Sequence, residues 1–243
     1  MSTDFTAKPI GKIISQELLR KLMSNTTEGG PSSSEIYEQE QRAQEQRRRL
    51  DAFQKEIGPR YHHCSIGNFV TNTPEREISL KQLKTYLSQI DERIRIGSSF
   101  VLMGGTGTGK DHLMIAGMRF ALDRGYTVKF IDGVEYFTRF KDLWNVGGLD
   151  GLESKYIDGL VRPAILGISD PAPPAGGQKN NYAEYLFRIV NSRYKMRKPT
   201  WVTLNAHTKE DVADLLGAPV RDRLRDHGFG IHCKGESYRT TQQ

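Results

Sequence analysis

The stretch Gly104-Gly105-Thr106-Gly107-Thr108-Gly109-Lys110 decides the fold class of this chain. It has the spacing G-x-x-x-x-G-K and follows the apolar run Phe100-Val101-Leu102-Met103, which predicts a short buried strand. A helix is predicted from Lys110 to about Asp123, and Arg124-Gly125 would end it. In this context the amide groups of the loop and the first turn of the helix face one point, and Lys110 adds a cation there. The motif therefore predicts a site for the phosphates of a nucleotide.

Strands and helices are predicted to alternate along the chain after this loop. The predicted strands cover residues 127–131, 164–168 and 201–204, and the predicted helices cover 134–144, 182–196 and 209–216. This alternation indicates an α/β fold in which helices flank a parallel sheet on both faces.

The first 60 residues differ in character from the rest. An amphipathic helix is predicted over 9–23 and a second helix over 34–57, joined by a flexible linker near 24–34 that is rich in Gly and Ser. The apolar stripe of the second helix is too thin for a self-sufficient coiled coil. We therefore expect a small helical appendage over residues 1–60 that docks a partner, followed by one large domain over residues 61–243.

The composition excludes membrane-spanning and secreted proteins. The chain has 243 residues, a net charge of +6 and two cysteines. Its apolar runs are far shorter than the roughly 20 residues of a membrane span, and its first residues lack a signal-peptide pattern. Cys64 and Cys233 form no disulfide framework, so we expect a cytoplasmic protein with no membrane partner. The mild positive charge allows a polyanionic partner.

Two positions depart from the usual chemistry of such a nucleotide site. After the loop lysine a Ser or Thr normally supplies a hydroxyl to Mg²⁺, and this chain has Asp111. At the end of the strand over 164–168, where two acids are usual, it has Ser169 and Asp170. A swap of carboxylate and hydroxyl would preserve the oxygen ligands of one Mg²⁺ ion, with Asp111, Ser169 and Asp170 as its ligands. The alternative is a site that binds nucleotide but hydrolyses it poorly or not at all.

Several further motifs point to one family. They are Gly107 to Leu113 at the loop (including His112), His63 to Phe69, Thr203-Leu204-Asn205, Leu215 to Leu224, and Glu236 to Arg239. With them the chain resembles the DnaC-type replicative helicase loaders, within the IstB/DnaC group of AAA+ ATPases. The resemblance implies an AAA+ P-loop NTPase domain over residues 61–243 that binds ATP or ADP with Mg²⁺. Such loaders are similar in lacking the usual hydroxyl after the loop lysine, whereas Ser169 is a departure from them as well.

The resemblance also implies roles for individual residues. Asn205 matches the sensor 1 position, which helps to place the attacking water, and Arg239 matches the sensor 2 arginine that touches nucleotide in cis. Arg223 matches the arginine finger, which completes the site of a neighbouring subunit. Its close competitors are Arg221 and Arg225. The expected catalytic set is Lys110, Asp170, Asn205 and Arg223.

The partners are implied by the same resemblance. ATP-bound subunits would assemble into a spiral that holds single-stranded DNA, and residues 1–60 would bind a hexameric DnaB-type helicase of the primosome. The basic run 188–198, with Tyr185, Phe187 and Tyr194 interleaved, is a candidate for DNA contact. The alternative is a solvated helix face whose aromatic residues belong to the core.

Three functions are compatible with these patterns. The first is a loader that delivers a replicative helicase to single-stranded DNA. The second is an IstB-type transposition helper, which shares the ATPase core but acts with a transposase on duplex DNA. The third is an adaptor that binds nucleotide and helicase with little hydrolysis.

A zinc site at His62, His63 and Cys64 is not favoured by the sequence. Adjacent residues do not easily surround one tetrahedral ion, and no C-x-x-C pair supplies further ligands. We expect these residues to have a structural role at the entrance to the ATPase core.

Overall fold

The computed structural model describes residues 32–145, 151–172 and 179–239. The chain divides into two compact units between Glu45 and Gln46. The predicted helix over 9–23 and most of the predicted linker near 24–34 lie outside the described residues. Within the described ranges, no helix has both the length and the apolar character needed to span a bilayer.

Helices and strands alternate through most of the described chain. The helices are α1 Ser33–Ile57, α2 Pro74–Leu87, α3 Ile90–Arg95, α4 Lys110–Asp123, α5 Gly133–Asn145, α6 Leu152–Val161, α7 Lys179–Lys195, α8 Lys209–Leu216 and α9 Ala218–Arg225, with a short 3₁₀ turn at Pro59–Tyr61. The strands are β1 Phe100–Met103, β2 Val128–Asp132, β3 Ile165–Ser169, β4 Thr200–Leu204 and β5 Phe229–His232.

The five strands form one parallel sheet in the order β2-β3-β4-β1-β5. The prediction of a parallel sheet flanked by helices is therefore confirmed. In this order β1 lies beside β4, with Met103 paired to Leu204, and β3 lies on the other side of β4, with Ser169 paired to Thr203. Because all strands run the same way, the segments that follow β1, β3 and β4 meet at one edge of the sheet.

The core lies on both faces of the sheet. Along β4 the side chains of Trp201 and Val202 are both almost fully buried, but they point to opposite faces because side chains alternate along a strand. Trp201 packs in a cluster with residues of α2 and α4, and Val202 packs in a second cluster with residues of α5 and α7. Packing on both faces explains why β1, with the sequence Phe100-Val101-Leu102-Met103, is apolar throughout.

The end of α1 belongs to the core of the second unit. Phe53 and Ile57 are 2% and 4% exposed and pack in the same cluster as Trp201. Glu56 supports this packing through an ion pair with Lys129 at 2.7 Å. Part of the segment that the sequence assigned to an appendage therefore contributes to the large unit, and the partner-docking role of residues 1–60 stays a prediction.

Five elements were missed by the sequence reasoning, namely α2, α3, α6, α9 and β5. Signals for one of them were present, since Pro74 follows Thr73 and the Thr73 side chain caps α2 by accepting a hydrogen bond from the Arg76 amide. The strand β5 is short and contains Gly230. Such a segment has little strand character of its own, and it pairs because β1 presents a free edge to it.

Candidate functional site

The glycine-rich loop connects β1 to α4, as the sequence predicts. Gly104 and Gly107 have φ angles of +152° and +79°, in the region that favours glycine. A Cβ atom on Gly104 would lie 2.1 Å from the Cys233 carbonyl oxygen, and one on Gly107 would lie 2.0 Å from Ser237 Oγ. Neither position accepts a side chain without moving its neighbour. The Thr108 hydroxyl donates to the Gly105 carbonyl at 2.9 Å and closes the loop on itself.

Lys110 stands at the centre of the site and is 7% exposed. Its ammonium group donates to the carbonyl oxygens of Gly104 and Gly105 at 3.0 and 2.7 Å, and to Asn205 Oδ1 at 3.0 Å. Burial lowers the pKa of Lys110, and the nearby Asp111 carboxylate acts in the opposite direction. Since all three acceptors are neutral, the positive charge of Lys110 is available to an anion in the cavity.

The Asp111 carboxylate accepts hydrogen bonds from side chains at the ends of two strands. The Ser169 and Thr203 hydroxyls both donate to Asp111 Oδ1 at 2.8 Å, and these hydroxyls are 3.3 Å apart. The Tyr61 hydroxyl donates to Asp111 Oδ2 at 3.4 Å. The structure thus brings together the two positions that depart from the usual motif, Asp111 and Ser169. Thr203 was missed as a site residue because nothing in the sequence indicates which residue of β4 faces Asp111.

Asp170 and Asn205 extend this network toward Lys110. Asn205 Nδ2 donates to Asp170 Oδ2 at 2.6 Å, while its own oxygen accepts from Lys110. Burial raises the pKa of Asp170, against the opposing effects of the Asn205 hydrogen bonds and the Lys110 charge. Asp170 has a φ of +46°, a conformation that aspartate tolerates better than most residues. One hydrogen-bonded chain therefore links the loop lysine to the ends of β3 and β4.

A cavity of about 700 Å³ opens over this network, a volume typical of small-molecule sites. The predicted residues that line it are Thr106, Gly107, Gly109, Lys110, Asp111, His112, Ser169, Asp170, Asn205 and Arg239. Gly104, Gly105 and Thr108 belong to the loop but do not line the cavity. Besides Thr203, eight further lining residues were not assigned to the site from the sequence, namely Arg60, Tyr61, His63, Cys64, Asn68, Phe69, Val70 and Tyr238. The aromatic ones add flat apolar surface to a polar site.

Arg223 lies on α9 and does not line this cavity. Its Nε donates to Asn191 Oδ1 at 2.8 Å, and its guanidinium carbon lies 4.6 Å from the centre of the Phe187 ring. Of its competitors, Arg225 is exposed, and Arg221 is half-buried with an Nε that has no hydrogen-bond partner among the described residues. Arg223 is therefore not placed to contact a nucleotide in the cavity of its own chain.

The basic run 188–198 does not form a continuous basic surface. Arg193 is 0% exposed and burial lowers its pKa to about 9. Its guanidinium donates to the carbonyl oxygens of Leu160, Val161, Pro163, Ala164 and Pro199 and to Thr200 Oγ1. Arg188 forms an ion pair with Glu153. The prediction of DNA contact is therefore wrong for Arg193, which ties α7 to the segments around β3 and β4.

Comparison with known families agrees with the geometry of the loop. The family model described as "IstB-like ATP binding protein" matches residues 33–243. The chain belongs to this family. The matched range includes both parts of the site, namely the glycine-rich loop and the ends of β3 and β4. The description of this family names ATP binding, which is the kind of ligand that the loop predicts.

Two relatives illustrate the range of this IstB-like family. The replicative helicase loader DnaC of Escherichia coli K12 is 27% identical over 223 residues, which cover 90% of this chain and 86% of that protein. A putative ATP-binding protein of the insertion sequence IS5376 of Geobacillus stearothermophilus is 30% identical over 182 residues, covering 72% of this chain and 67% of that protein. The resemblance to DnaC-type loaders is confirmed, and a putative ATP-binding protein of an insertion sequence is similar as well.

Solved structures show the same fold. A crystal structure of the DnaC helicase loader aligns with a TM-score of 0.63 and 19% identity, covering 73% of this chain and all of that one. The replication initiator DnaA, solved bound to AMPPCP and single-stranded DNA, aligns with a TM-score of 0.58 and 18% identity, covering 74% of this chain and 51% of that one. The large unit thus shares the fold of these two proteins, and the α/β fold that the resemblance implied is confirmed.

Proposed function

We propose that this chain is an ATP-dependent loader, which binds a hexameric DnaB-type helicase in the cytoplasm and delivers it to single-stranded DNA when replication begins. One observation carries the proposal: the nucleotide site around Lys110 lies in a chain that is similar to the helicase loader DnaC over 90% of its length. Loading needs a nucleotide switch and a partner-binding segment on one chain. Similarity that extends beyond the ATPase core supports the presence of both.

In this proposal ATP or ADP binds in the cavity described above. The phosphates lie against the loop amides and Lys110, with Arg239 at the rim. The potential metal ligands near the phosphates are the carboxylate oxygens of Asp111 and Asp170 and the hydroxyl oxygen of Ser169. This set of oxygen atoms fits Mg²⁺. When bound, Mg²⁺ neutralises charge on the phosphate oxygens.

Asn205 is proposed to orient the attacking water. Its amide group is held from two sides, by Lys110 and by Asp170, so its orientation is defined before any nucleotide arrives. Asp170, whose pKa is raised, would accept hydrogen bonds from that water. These three side chains form the proposed catalytic set together with Arg223: Lys110, Asp170, Asn205 and Arg223.

Arg223 is proposed to act in trans. Its position on α9, away from the cavity of its own chain, supports a role at the site of a neighbouring subunit in an ATP-dependent spiral. Residues 1–60 are proposed to dock the helicase. Single-stranded DNA would contact exposed residues of the basic run such as Lys195 and Arg197, rather than the buried Arg193.

Two alternatives each have a supporting observation. The similarity to the insertion-sequence protein of Geobacillus supports an IstB-type transposition helper. The serine at position 169, in place of a metal-binding acid, supports a nucleotide-dependent adaptor with little hydrolysis. Preference for duplex over single-stranded DNA would favour the helper, and absence of turnover would favour the adaptor.

The deciding experiment is co-purification with the replicative helicase of the same host, with and without ATP. We expect a complex whose release on single-stranded DNA requires Lys110, so Lys110→Ala should bind nucleotide at least about tenfold more weakly and fail in release. Lys198→Ala is the matched control for nucleotide binding only, because Lys198 also donates to backbone carbonyl oxygens, at 3.1 and 2.6 Å, but lies outside the cavity. No helicase binding in either nucleotide state would exclude the loader function.

A further inference from the structure

Three side chains with metal-binding atoms meet on one wall of the nucleotide cavity. His63 and Cys64 come from the turn that precedes the core, and His112 comes from the first turn of α4. The potential ligand atoms of these residues all lie within 4.8 Å of one another. His112 is far from the other two in sequence, which is why the chain alone did not indicate a three-residue cluster.

The local backbone conformation explains how the side chains of two adjacent residues, His63 and Cys64, can bind one metal ion. In an extended strand the side chains of His63 and Cys64 would point in opposite directions. Here the chain is folded into a tight turn, in which the Cys64 amide donates to the Tyr61 carbonyl at 3.0 Å. The turn places both side chains next to α4. The sequence argument that adjacent residues do not easily surround one ion therefore does not apply to His63 and Cys64.

A second group orients the ring of His112. One of its nitrogens, Nε2, lies 3.0 Å from the carbonyl oxygen of Ser65. A carbonyl oxygen only accepts, so Nε2 carries the hydrogen and the other ring nitrogen keeps its lone pair. The Phe69 ring packs edge-on against the same imidazole, with 5.3 Å between the centres of the two rings. A histidine held by a carbonyl oxygen through one nitrogen is a common arrangement of metal ligands.

The kinds of ligand atom select the metal. Two imidazole nitrogens and one sulfur suit Zn²⁺ and not Mg²⁺, which requires oxygen. We propose that His63, Cys64 and His112 form a zinc-binding site whose fourth position opens to the nucleotide cavity. The Cys64 thiol gives its proton to solvent when the ion binds. The ion links the segment that precedes the core to the helix that begins at Lys110, so it would stiffen one wall of the nucleotide site.

The test uses Co²⁺ as a spectroscopic substitute for Zn²⁺ on the full-length, reduced, metal-free protein. Excess Mg²⁺ in the buffer occupies the oxygen ligands around Asp111. We expect one Co²⁺ per chain, a thiolate-to-cobalt charge-transfer band, visible bands of tetrahedral intensity, and loss of all of them when Zn²⁺ is added. Absence of the charge-transfer band would overturn the proposal.

Variants identify the ligands. Cys64→Ser should abolish the charge-transfer band, whereas Cys233→Ser should keep it, because Cys233 is equally buried but belongs to no such cluster among the described residues. His63 is exposed, so His63→Ala preserves folding and should weaken Co²⁺ binding by about tenfold or more. A wild-type spectrum in Cys64→Ser, or unchanged affinity in His63→Ala, would contradict the assignment.

Discussion

The hydroxyl of Ser169 donates a hydrogen bond to the carboxylate of Asp111 at 2.8 Å. In ordinary P-loop sites a hydroxyl after the loop lysine and a carboxylate at the strand end occupy the corresponding positions, so the two functional groups are exchanged here. Thr203 donates to the same carboxylate oxygen at 2.8 Å. The negative charge thus lies at the start of α4, where the helix dipole also stabilises it.

The exchange can be tested by reversing it one position at a time. Asp111→Thr removes the carboxylate, and Ser169→Asp places a second carboxylate beside the first. We expect each single change to weaken magnesium-dependent ATP binding by about tenfold or more, and the double change to restore it to within about threefold. Titration of a fluorescent ATP analogue, with and without Mg²⁺, gives the magnesium-dependent affinity of each of the four proteins in this cycle: the wild type, the two single variants and the double variant.

Non-additivity is the decisive result of that cycle. If Asp111→Thr alone strengthens magnesium-dependent binding and turnover, the exchange is not a functional one. Thr203→Val is a useful companion variant, because it removes one hydroxyl from Asp111 without changing the charge. We expect it to reduce affinity less than either single exchange variant does.

The trans role of Arg223 predicts complementation between two inactive proteins. Arg223→Ala should lower turnover by about 10³-fold while leaving nucleotide binding intact, because Arg223 does not line its own cavity. Mixed with Lys110→Ala, which keeps its arginine, it should recover activity at the shared interface. The exposed Arg225, changed to Ala, serves as the control and should hydrolyse ATP as the wild type does. Failure of the mixture to recover activity would contradict a finger at position 223.

Arg193 is expected to stabilise the fold rather than to bind DNA. Arg193→Met removes the hydrogen bonds that the guanidinium donates to five backbone carbonyl oxygens, so we expect the free energy of unfolding to fall by about 3 kcal/mol or more. Lys195→Met, two residues away and exposed, should change it by less than about 0.5 kcal/mol. Urea denaturation measures both. A stable Arg193→Met variant with weakened DNA binding would reverse this assignment.

Two truncations test where the folded core begins. A fragment of residues 46–243 keeps Phe53, Glu56 and Ile57, and we expect it to fold, to bind nucleotide and to lose helicase binding. A fragment of residues 61–243 loses two buried apolar side chains and should be less stable by about 3 kcal/mol or more. Thermal unfolding of the two fragments gives the comparison. Equal stabilities would mean that the end of α1 contributes nothing to the core.

Local signals account for the elements that the sequence predicted well. The strand over Phe100–Met103 and the helices over Lys110–Asp123 and Lys209–Leu216 were predicted with the observed bounds. Each is marked by its own residues: an apolar run before a glycine-rich turn, a helix start after Gly109, and the cap of Thr208 with Asp211. Elements such as β5 lack comparable signals, because their pairing depends on a neighbouring strand.

The sequence by itself predicted the glycine-rich loop, the class of fold, and Asp170 and Asn205 as the residues that directly follow β3 and β4. These follow from short-range patterns, in which spacing and residue type are sufficient. Tertiary structure alone decided that Thr203 joins Asp111 and Ser169, that Arg193 is buried, and that His112 meets His63 and Cys64. Those outcomes depend on strand order and on which face a side chain occupies, and both are set by packing between segments that are distant in the chain.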